Sequence, residues 1–235
     1  PDARYTFLNL ADETAAMDWP IPLERAILSD KDKAHPRMAE VTPFPAPAPV
    51  GRRALVTGAN GQLGRELMRA LPEAGFTVTG VDLPEVSISD AEQVAALPWD
   101  DIDVVINAAA WTNVDGAETP EGRRATWQAN STGPAVLARE ATAHGVTMVH
   151  ISTEYVFDGT QDVHLEDEAP SPLGAYGQSK AGGDAAVAST PKHYIVRTSW
   201  VVGDGKNFLK TMASLADQGI SPSVVSDQVG RLTFT

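Results

Sequence analysis

Tyr176 and Lys180 lie four residues apart in Tyr176-Gly177-Gln178-Ser179-Lys180. On a helix that spacing puts them on one face. A carbonyl that accepts a hydride develops alkoxide charge on its oxygen, and a positioned acid must supply a proton there. A phenol can be that acid. A neighbouring ammonium favours the phenolate and lowers the phenol from its ordinary value of about 10. The same spacing also fits a solvated helix face. Thr153, in Ser152-Thr153-Glu154-Tyr155, offers a hydroxyl to the same oxygen, although serine and threonine are also common turn formers.

A hydride needs a carrier. Gly58-Ala59-Asn60-Gly61-Gln62-Leu63-Gly64 follows the apolar run Ala54-Leu55-Val56-Thr57 and opens a helical stretch. This is the strand, glycine loop and helix that a dinucleotide pyrophosphate needs. Gly58 permits the tight turn, Gly61 lets the backbone approach phosphate, and Gly64 lets the helix lie on the sheet. The free N–H groups and dipole of the helix stabilise the anion. Asp82, 24 residues beyond Gly58, is placed to accept from the adenosine ribose hydroxyls or to end a strand in a solvated turn. As a ribose ligand it disfavours a 2′-phosphate, unless Arg52, Arg53 or Arg65 offsets it. Ser87-Ile88-Ser89-Asp90 either runs beside the adenine, with Ile88 as an apolar contact, or caps the next helix through Ser89 or Asp90. Asn107-Ala108-Ala109-Ala110 ends a strand with small side chains, where open α/β sheets bind ligands.

The elements that must hold these groups alternate. Strands are expected at 54–57, 77–81, 104–108, 147–152 and 194–199, and helices at 61–74, 90–97, 122–144, 176–189 and 207–218. Near-continuous apolar strands such as Val104-Val105-Ile106 are covered on both faces. The alternation implies right-handed crossovers and a parallel sheet. The expected fold is therefore α/β, a Rossmann-type doubly wound parallel sheet. Residues 1–41 are mixed and charged and lack that pattern. Proline at alternate positions in Thr42-Pro43-Phe44-Pro45-Ala46-Pro47-Ala48-Pro49 predicts an extended, semi-rigid spacer. The expected organisation is an N-terminal segment at 1–41, a linker at 42–51 and a nucleotide-binding domain at 52–235.

The bulk numbers narrow the chemistry. The 235 residues carry a net charge of −13 and no cysteine, which argues against nucleic acid or an anionic membrane as partner and excludes thiol chemistry. No apolar run approaches a membrane span and no secretory signal is visible, which fits a cytoplasmic protein. The five histidines form no H-x-x-x-H pair, so a metal site of the zinc-protease type is excluded, and no metal is assigned. There is no G-x-S-x-G elbow and no P-loop lysine.

Taken in this order, the glycine loop, Asn107–Ala110 and the Y-x-x-x-K pair resemble the extended short-chain dehydrogenase/reductases. Longer strings resemble one family within it, the dTDP-4-dehydrorhamnose reductases. They are Asn107-Ala108-Ala109-Ala110-Trp111-Thr112-Asn113-Val114-Asp115, Ser152-Thr153-Glu154-Tyr155-Val156-Phe157-Asp158-Gly159, Tyr176-Gly177-Gln178-Ser179-Lys180 and Arg197-Thr198-Ser199-Trp200. The likeness covers about residues 52–235. It implies hydride transfer from NADPH or NADH to C4 of dTDP-4-dehydro-L-rhamnose. Tyr176 would protonate the oxygen, Lys180 would tune Tyr176 and hold the nicotinamide ribose, and Thr153 would hydrogen-bond the substrate. Cofactor contacts would come from Gly58, Asn60, Gly61, Gln62, Leu63, Gly64, Asp82, Ser87, Ile88, Ala108, Ala109, Ala110, Tyr176 and Lys180. Substrate contacts would come from Trp111, Thr153, Glu154, Trp200, Asn207, Gln228 and Arg231. Glu154 and Ser87 stand where the family more often carries aspartate. Family members run near 300 residues, so an incomplete C-terminal substrate domain is expected. Some are homodimers in which a glutamate matching Glu66 joins a magnesium link. Alternatives are another nucleotide-sugar epimerase or dehydratase of the superfamily, or a non-catalytic nucleotide-binding subunit.

Asp18-Trp19-Pro20-Ile21-Pro22-Leu23 and Ile27-Leu28-Ser29-Asp30-Lys31-Asp32 resemble the C-terminal tail of dTDP-4-dehydrorhamnose 3,5-epimerases, whose reaction comes one step earlier. The resemblance implies a fused epimerase–reductase joined by the spacer.

Overall fold

The structure is a computed structural model and describes residues 25, 29–34, 36–37, 52–161, 163–205, 207–224 and 230–235. The chain divides into two compact units, Pro1–Pro49 and Val50–Thr235. In the first, a single helical turn, α1 (Asp30–Lys33), is described. The strings at 18–23 and 42–49, and Gln228, lie outside the described residues.

The second unit is built on five parallel strands in the order β2-β1-β3-β4-β5. They are β1 (Arg53–Thr57), β2 (Thr77–Val81), β3 (Val104–Asn107), β4 (Thr147–Thr153) and β5 (His193–Thr198). This is the Rossmann-like α/β class that the alternation of strands and helices predicts. From β1 the chain runs out to β2, then returns across β1 to β3. The strand order therefore reverses beside β1, and the loops after β1 and β3 part there to leave a crevice.

Central strands are buried because both faces are covered. Ala54 to Thr57 are all buried, as are Val105 to Asn107. α2 (Gln62–Glu73) lies against β1 and β2. α3 (Ala91–Ala95), α5 (Gly133–His144) and α6 (Ala175–Ala188) form a second layer, with α5 and α6 against β4. Leu55, Val105 and Met148 pair across the sheet in one row and meet Trp99, Leu137, Ala141 and Val187 in the core. At the β5 edge, Tyr194 and Val196 remain 65% and 43% exposed.

The single helix expected at 122–144 is two helices. α4 (Pro120–Trp127) begins earlier, with Thr119 accepting the Gly122 N–H as its N-cap and Pro120 in its first turn. A π-helical turn, Gln128–Thr132, separates it from α5. Pro134 has no N–H for the carbonyl of Asn130 four residues back, so the regular ladder cannot pass. The widened turn buries Asn130 and Ser131. Both face α6: Asn130 donates to Ser179 Oγ at 3.1 Å and Ser131 donates to Ser179 O at 2.6 Å.

Beyond β5, β6 (Trp200–Val202) pairs in parallel with β7 (Leu232–Phe234) as a separate two-stranded sheet. α7 (Phe208–Asp217) lies between them in sequence. The sequence pattern gave α7 but not this sheet, because three-residue strands show no periodicity.

Candidate active site

The glycine loop is held by backbone geometry. Gly58 sits at φ +69°, and a Cβ there would meet Ala109 N at 2.6 Å. Gly64, one helical turn into α2, would place a Cβ 2.0 Å from Gly58 O. The helix can therefore approach the loop closely only without a side chain at 64. Asp82, just past β2, accepts the Asn60 N–H through Oδ2 and the Leu83 N–H through Oδ1, both at 2.8 Å. Its carboxylate is thus fixed beside the loop.

Together these segments line a crevice of about 390 Å³. Of the expected cofactor residues, Gly58, Gly61, Asp82, Ser87, Ile88, Ala108, Ala109 and Ala110 border it, and so does Trp111. Asn60, Gln62, Leu63, Gly64, Tyr176 and Lys180 are not on its wall. Ala125, Gln128 and Ala129, at the α4–π junction, border it as well; no sequence signal marked them, because the helix break is set by Pro134. Asp90 proves to be the N-cap of α3, accepting the Glu92 and Gln93 N–H groups. Ser87 Oγ lies 3.1 Å from Ser89 Oγ.

The three arginines weighed against Asp82 are engaged elsewhere. Arg53 bonds Asp103 at 2.9 Å at the amino end of β1, and Arg52 donates to Ala74 O at 3.0 Å. Arg65 donates to Asn60 O at 2.6 Å and to Asp204 O.

Thr153 ends β4, with its hydroxyl accepting the Tyr155 N–H at 3.2 Å. Tyr176 lies in the first turn of α6, where the Ala175 N–H donates to the Glu118 carboxylate at 2.6 Å. The Tyr176 ring meets Tyr155 edge to face, with centroids 5.9 Å apart. The expectation that Lys180 lowers the Tyr176 phenol is corrected here. Burial pushes Tyr176 up to about 12, against the pull of the Thr153 hydroxyl, with Tyr155 adding to the rise. Lys180 is turned inward: its Nζ donates to Ile151 O at 2.6 Å and lies 3.4 Å from His150 Nε2. Burial brings Lys180 down to about 8, and Asp184 acts in the opposite direction.

His150 is the residue that sequence reasoning missed. It is wholly buried on β4, with Asn107 Nδ2 3.0 Å from its Nδ1. Burial, then the Lys180 charge, hold the imidazole well below its ordinary range, so it is neutral. The signal was its parity. Met148, His150 and Ser152 share one face of β4, and Met148 is core.

The expected substrate residues are less gathered. A cavity of about 220 Å³ is lined by Tyr176 with Val114, Tyr155, Phe157, Leu173, Gly174 and Gly177. Trp111 Nε1 donates to Asn113 O at 2.9 Å. Glu154 accepts the Ser199 hydroxyl. Trp200 is 38% exposed on β6, and Arg231 pairs with it through the backbone at 2.9 Å. Asn207 caps α7 by accepting the Lys210 N–H at 3.0 Å and donates to Gln62 Oε1 at 3.1 Å. The Asn207 amide thus ties the start of α7 to α2, while Gln62 Nε2 donates to Val201 O of β6 at 3.0 Å. Glu66 is ion-paired with Arg69.

Sheet order, glycine loop and crevice define a Rossmann-type α/β protein. The family model for the RmlD substrate binding domain matches residues 52–235, and the chain belongs to that family. It is 40% identical over 192 residues to a dTDP-4-dehydrorhamnose reductase of Aggregatibacter actinomycetemcomitans, covering 78% of this chain and 63% of that protein. It is 41% identical over 188 residues to the spore coat polysaccharide biosynthesis protein SpsK of Bacillus subtilis, covering 78% and 65%. Among solved structures, a Bacillus anthracis dTDP-4-dehydrorhamnose reductase in complex with NADP superposes with a TM-score of 0.72 at 36% identity, covering 78% of this chain and 66% of that one. The chain thus spans somewhat under two thirds of the length of the first two relatives.

Proposed function

We propose that the protein is a dTDP-4-dehydrorhamnose reductase. A reduced nicotinamide, NADH or NADPH, gives hydride to the C4 carbonyl carbon of dTDP-4-dehydro-L-rhamnose. Tyr176 gives its phenolic proton to the oxygen, and dTDP-L-rhamnose and the oxidised cofactor result. Gly58, Gly61 and the N–H groups at the start of α2 hold the pyrophosphate. Asp82 receives the adenosine ribose, and Ala108–Ala110 let the cofactor lie close to the sheet. Lys180 holds the nicotinamide ribose, and Thr153 bonds the substrate oxygen. The relatives named above support the substrate, and the NADP complex of one of them supports the cofactor class.

One observation carries this reading. A buried polar row runs from the crevice wall to the Y-x-x-x-K helix: Ala109 N–H donates to Asn107, Asn107 donates to His150 Nδ1, and the far side of the ring, Nε2, lies 3.4 Å from Lys180 Nζ. It couples the cofactor crevice to the proton-handling residues. A phenol held at about 12 is protonated at neutral pH, the form a reduction consumes.

The charge of −13 and the absence of cysteine support a cytoplasmic protein without a nucleic-acid partner. Among the described residues no helix is long and apolar enough to cross a membrane. Residues 1–41 are read as an epimerase-related appendage; their falling in a separate unit from the sheet supports this.

The test supplies the dTDP-4-keto sugar with NADH or NADPH and follows the loss of absorbance of the reduced nicotinamide. Sugar-dependent oxidation is the expected result. Tightly retained cofactor with no net oxidation would indicate an epimerase or dehydratase. Cofactor binding without any reaction would indicate a non-catalytic subunit.

A further inference from the structure

Thr57, Asn107 and His150 occupy one row across β1, β3 and β4, and all three are fully buried. Their hydrogen bonds fix each group in turn. Ala109 N–H, a donor without an alternative, reaches Asn107 Oδ1 at 3.2 Å, and the Thr57 hydroxyl reaches the same oxygen at 2.7 Å. That oxygen is the carbonyl of the amide, so Nδ2 is its NH₂ group. Nδ2 points at His150 Nδ1 from 3.0 Å, and Nδ1 must accept. A neutral imidazole that accepts at Nδ1 carries its proton on Nε2. Nε2 faces Lys180 Nζ at 3.4 Å and Asp184 Oδ1 at 3.7 Å. Asp184 is also reached by Arg197 Nε at 3.4 Å.

An Nε2–H offers Lys180 no lone pair. The ammonium has three protons, and Ile151 O takes one at 2.6 Å. We infer that His150 is a positioning residue whose Nε2–H tautomer, imposed by Asn107, denies Lys180 a second internal acceptor and leaves its remaining protons for the ribose and the phenol. This rests on the reductase reading for its consequence in catalysis, but the tautomer itself does not. The groups facing the ring are Asn107 from β3 and Lys180 and Asp184 from α6, with Arg197 of β5 behind Asp184.

Two measurements test it. Long-range proton–nitrogen NMR of the protein should show His150 with a bare Nδ1 and a protonated Nε2. Asn107→Asp is near-isosteric and still accepts from Ala109 N–H and Thr57, but its second oxygen also accepts, so the ring proton should appear on Nδ1. The second measurement is the pH profile of His150→Gln. Its carbonyl can turn to Nζ and accept, so the alkaline limb set by Lys180 should rise by about one unit. kcat should fall roughly tenfold, while the melting midpoint stays within about 4 °C. A bare Nε2 in the unaltered protein overturns the inference, and so does an unmoved limb in folded His150→Gln. If the unaltered protein fails to oxidise NADH or NADPH on the keto sugar, the reductase reading falls. The ring spectrum alone then decides the tautomer.

Discussion

Asp82 Oδ2 and the Asn60 N–H lie 2.8 Å apart, so the carboxylate at the end of β2 is pinned to the glycine loop. A pinned carboxylate cannot swing away from a 2′-phosphate. Arg52 and Arg53 are spent on Ala74 O and Asp103, and Arg65 on Asn60 O. NADH should therefore be the better substrate. Replacing Asp82 by Ala should move the NADPH-to-NADH ratio of kcat/KM toward NADPH by about tenfold, the size of one partly screened charge repulsion. Steady-state kinetics with both cofactors checks this, and an unchanged ratio would remove Asp82 from cofactor selection.

Tyr176→Phe removes the acid and little else. The ring keeps its edge contact with Tyr155, and the phenol, pushed up to about 12, contributes no charge at neutral pH. kcat on the keto sugar should fall by about 10²–10⁴-fold, while cofactor affinity measured by fluorescence titration changes less than about threefold. Near-normal turnover by the variant would mean that another group protonates the oxygen.

The residues that bind backbone or repeat with a period were legible in the sequence; those that act through tertiary contact were not. The strand and loop at Ala54–Gly64 could be read because glycine spacing reports close approach directly, and Gly58 and Gly64 do stand where a Cβ would collide. The Y-x-x-x-K spacing placed Tyr176 and Lys180 on one helix. It could not show that Nζ turns to Ile151 O and His150, since β4 brings those partners from about thirty positions away. Nor could it foresee the break at Asn130, where a proline acts on a carbonyl that must also fit beneath Gly183. The assignment of Asn207 to substrate missed its bond to Gln62, 145 residues away.

Gly64→Ala tests the loop. The added Cβ would fall 2.0 Å from Gly58 O and 2.8 Å from Ala59 Cα, and backbone atoms cannot yield as a flexible side chain can. The helix must shift away from the loop, at a cost of about 2–3 kcal/mol. Urea unfolding should register that loss. Cofactor affinity should fall more than in a surface control such as Glu73→Ala, because the shift opens the pyrophosphate cradle. A variant as stable as the parent with unchanged affinity would show that α2 does not need the close approach.

Lys180 makes stability depend on pH with a sign that can be worked out. Burial lowers its folded value from 10.5 to about 8, with Asp184 opposing. Below about 8 the folded and unfolded chains both carry the proton, and the folded state bears the cost of a buried ammonium. Between about 8 and 10.5 the unfolded chain still holds a proton that the folded chain has released. The unfolded state then binds more protons, so this group's contribution to stability rises with pH across that window. Lys180→Met cannot titrate and lacks the rise. Urea unfolding at about pH 7.5 and about pH 9.5 should show the unaltered protein gaining on Lys180→Met by about 1–2 kcal/mol. A constant difference would mean that Lys180 keeps its proton throughout. Turnover should move the opposite way over the same interval. The proton whose loss relieves the fold is one that the ribose and the phenol require, so activity declines as the group's contribution to stability climbs.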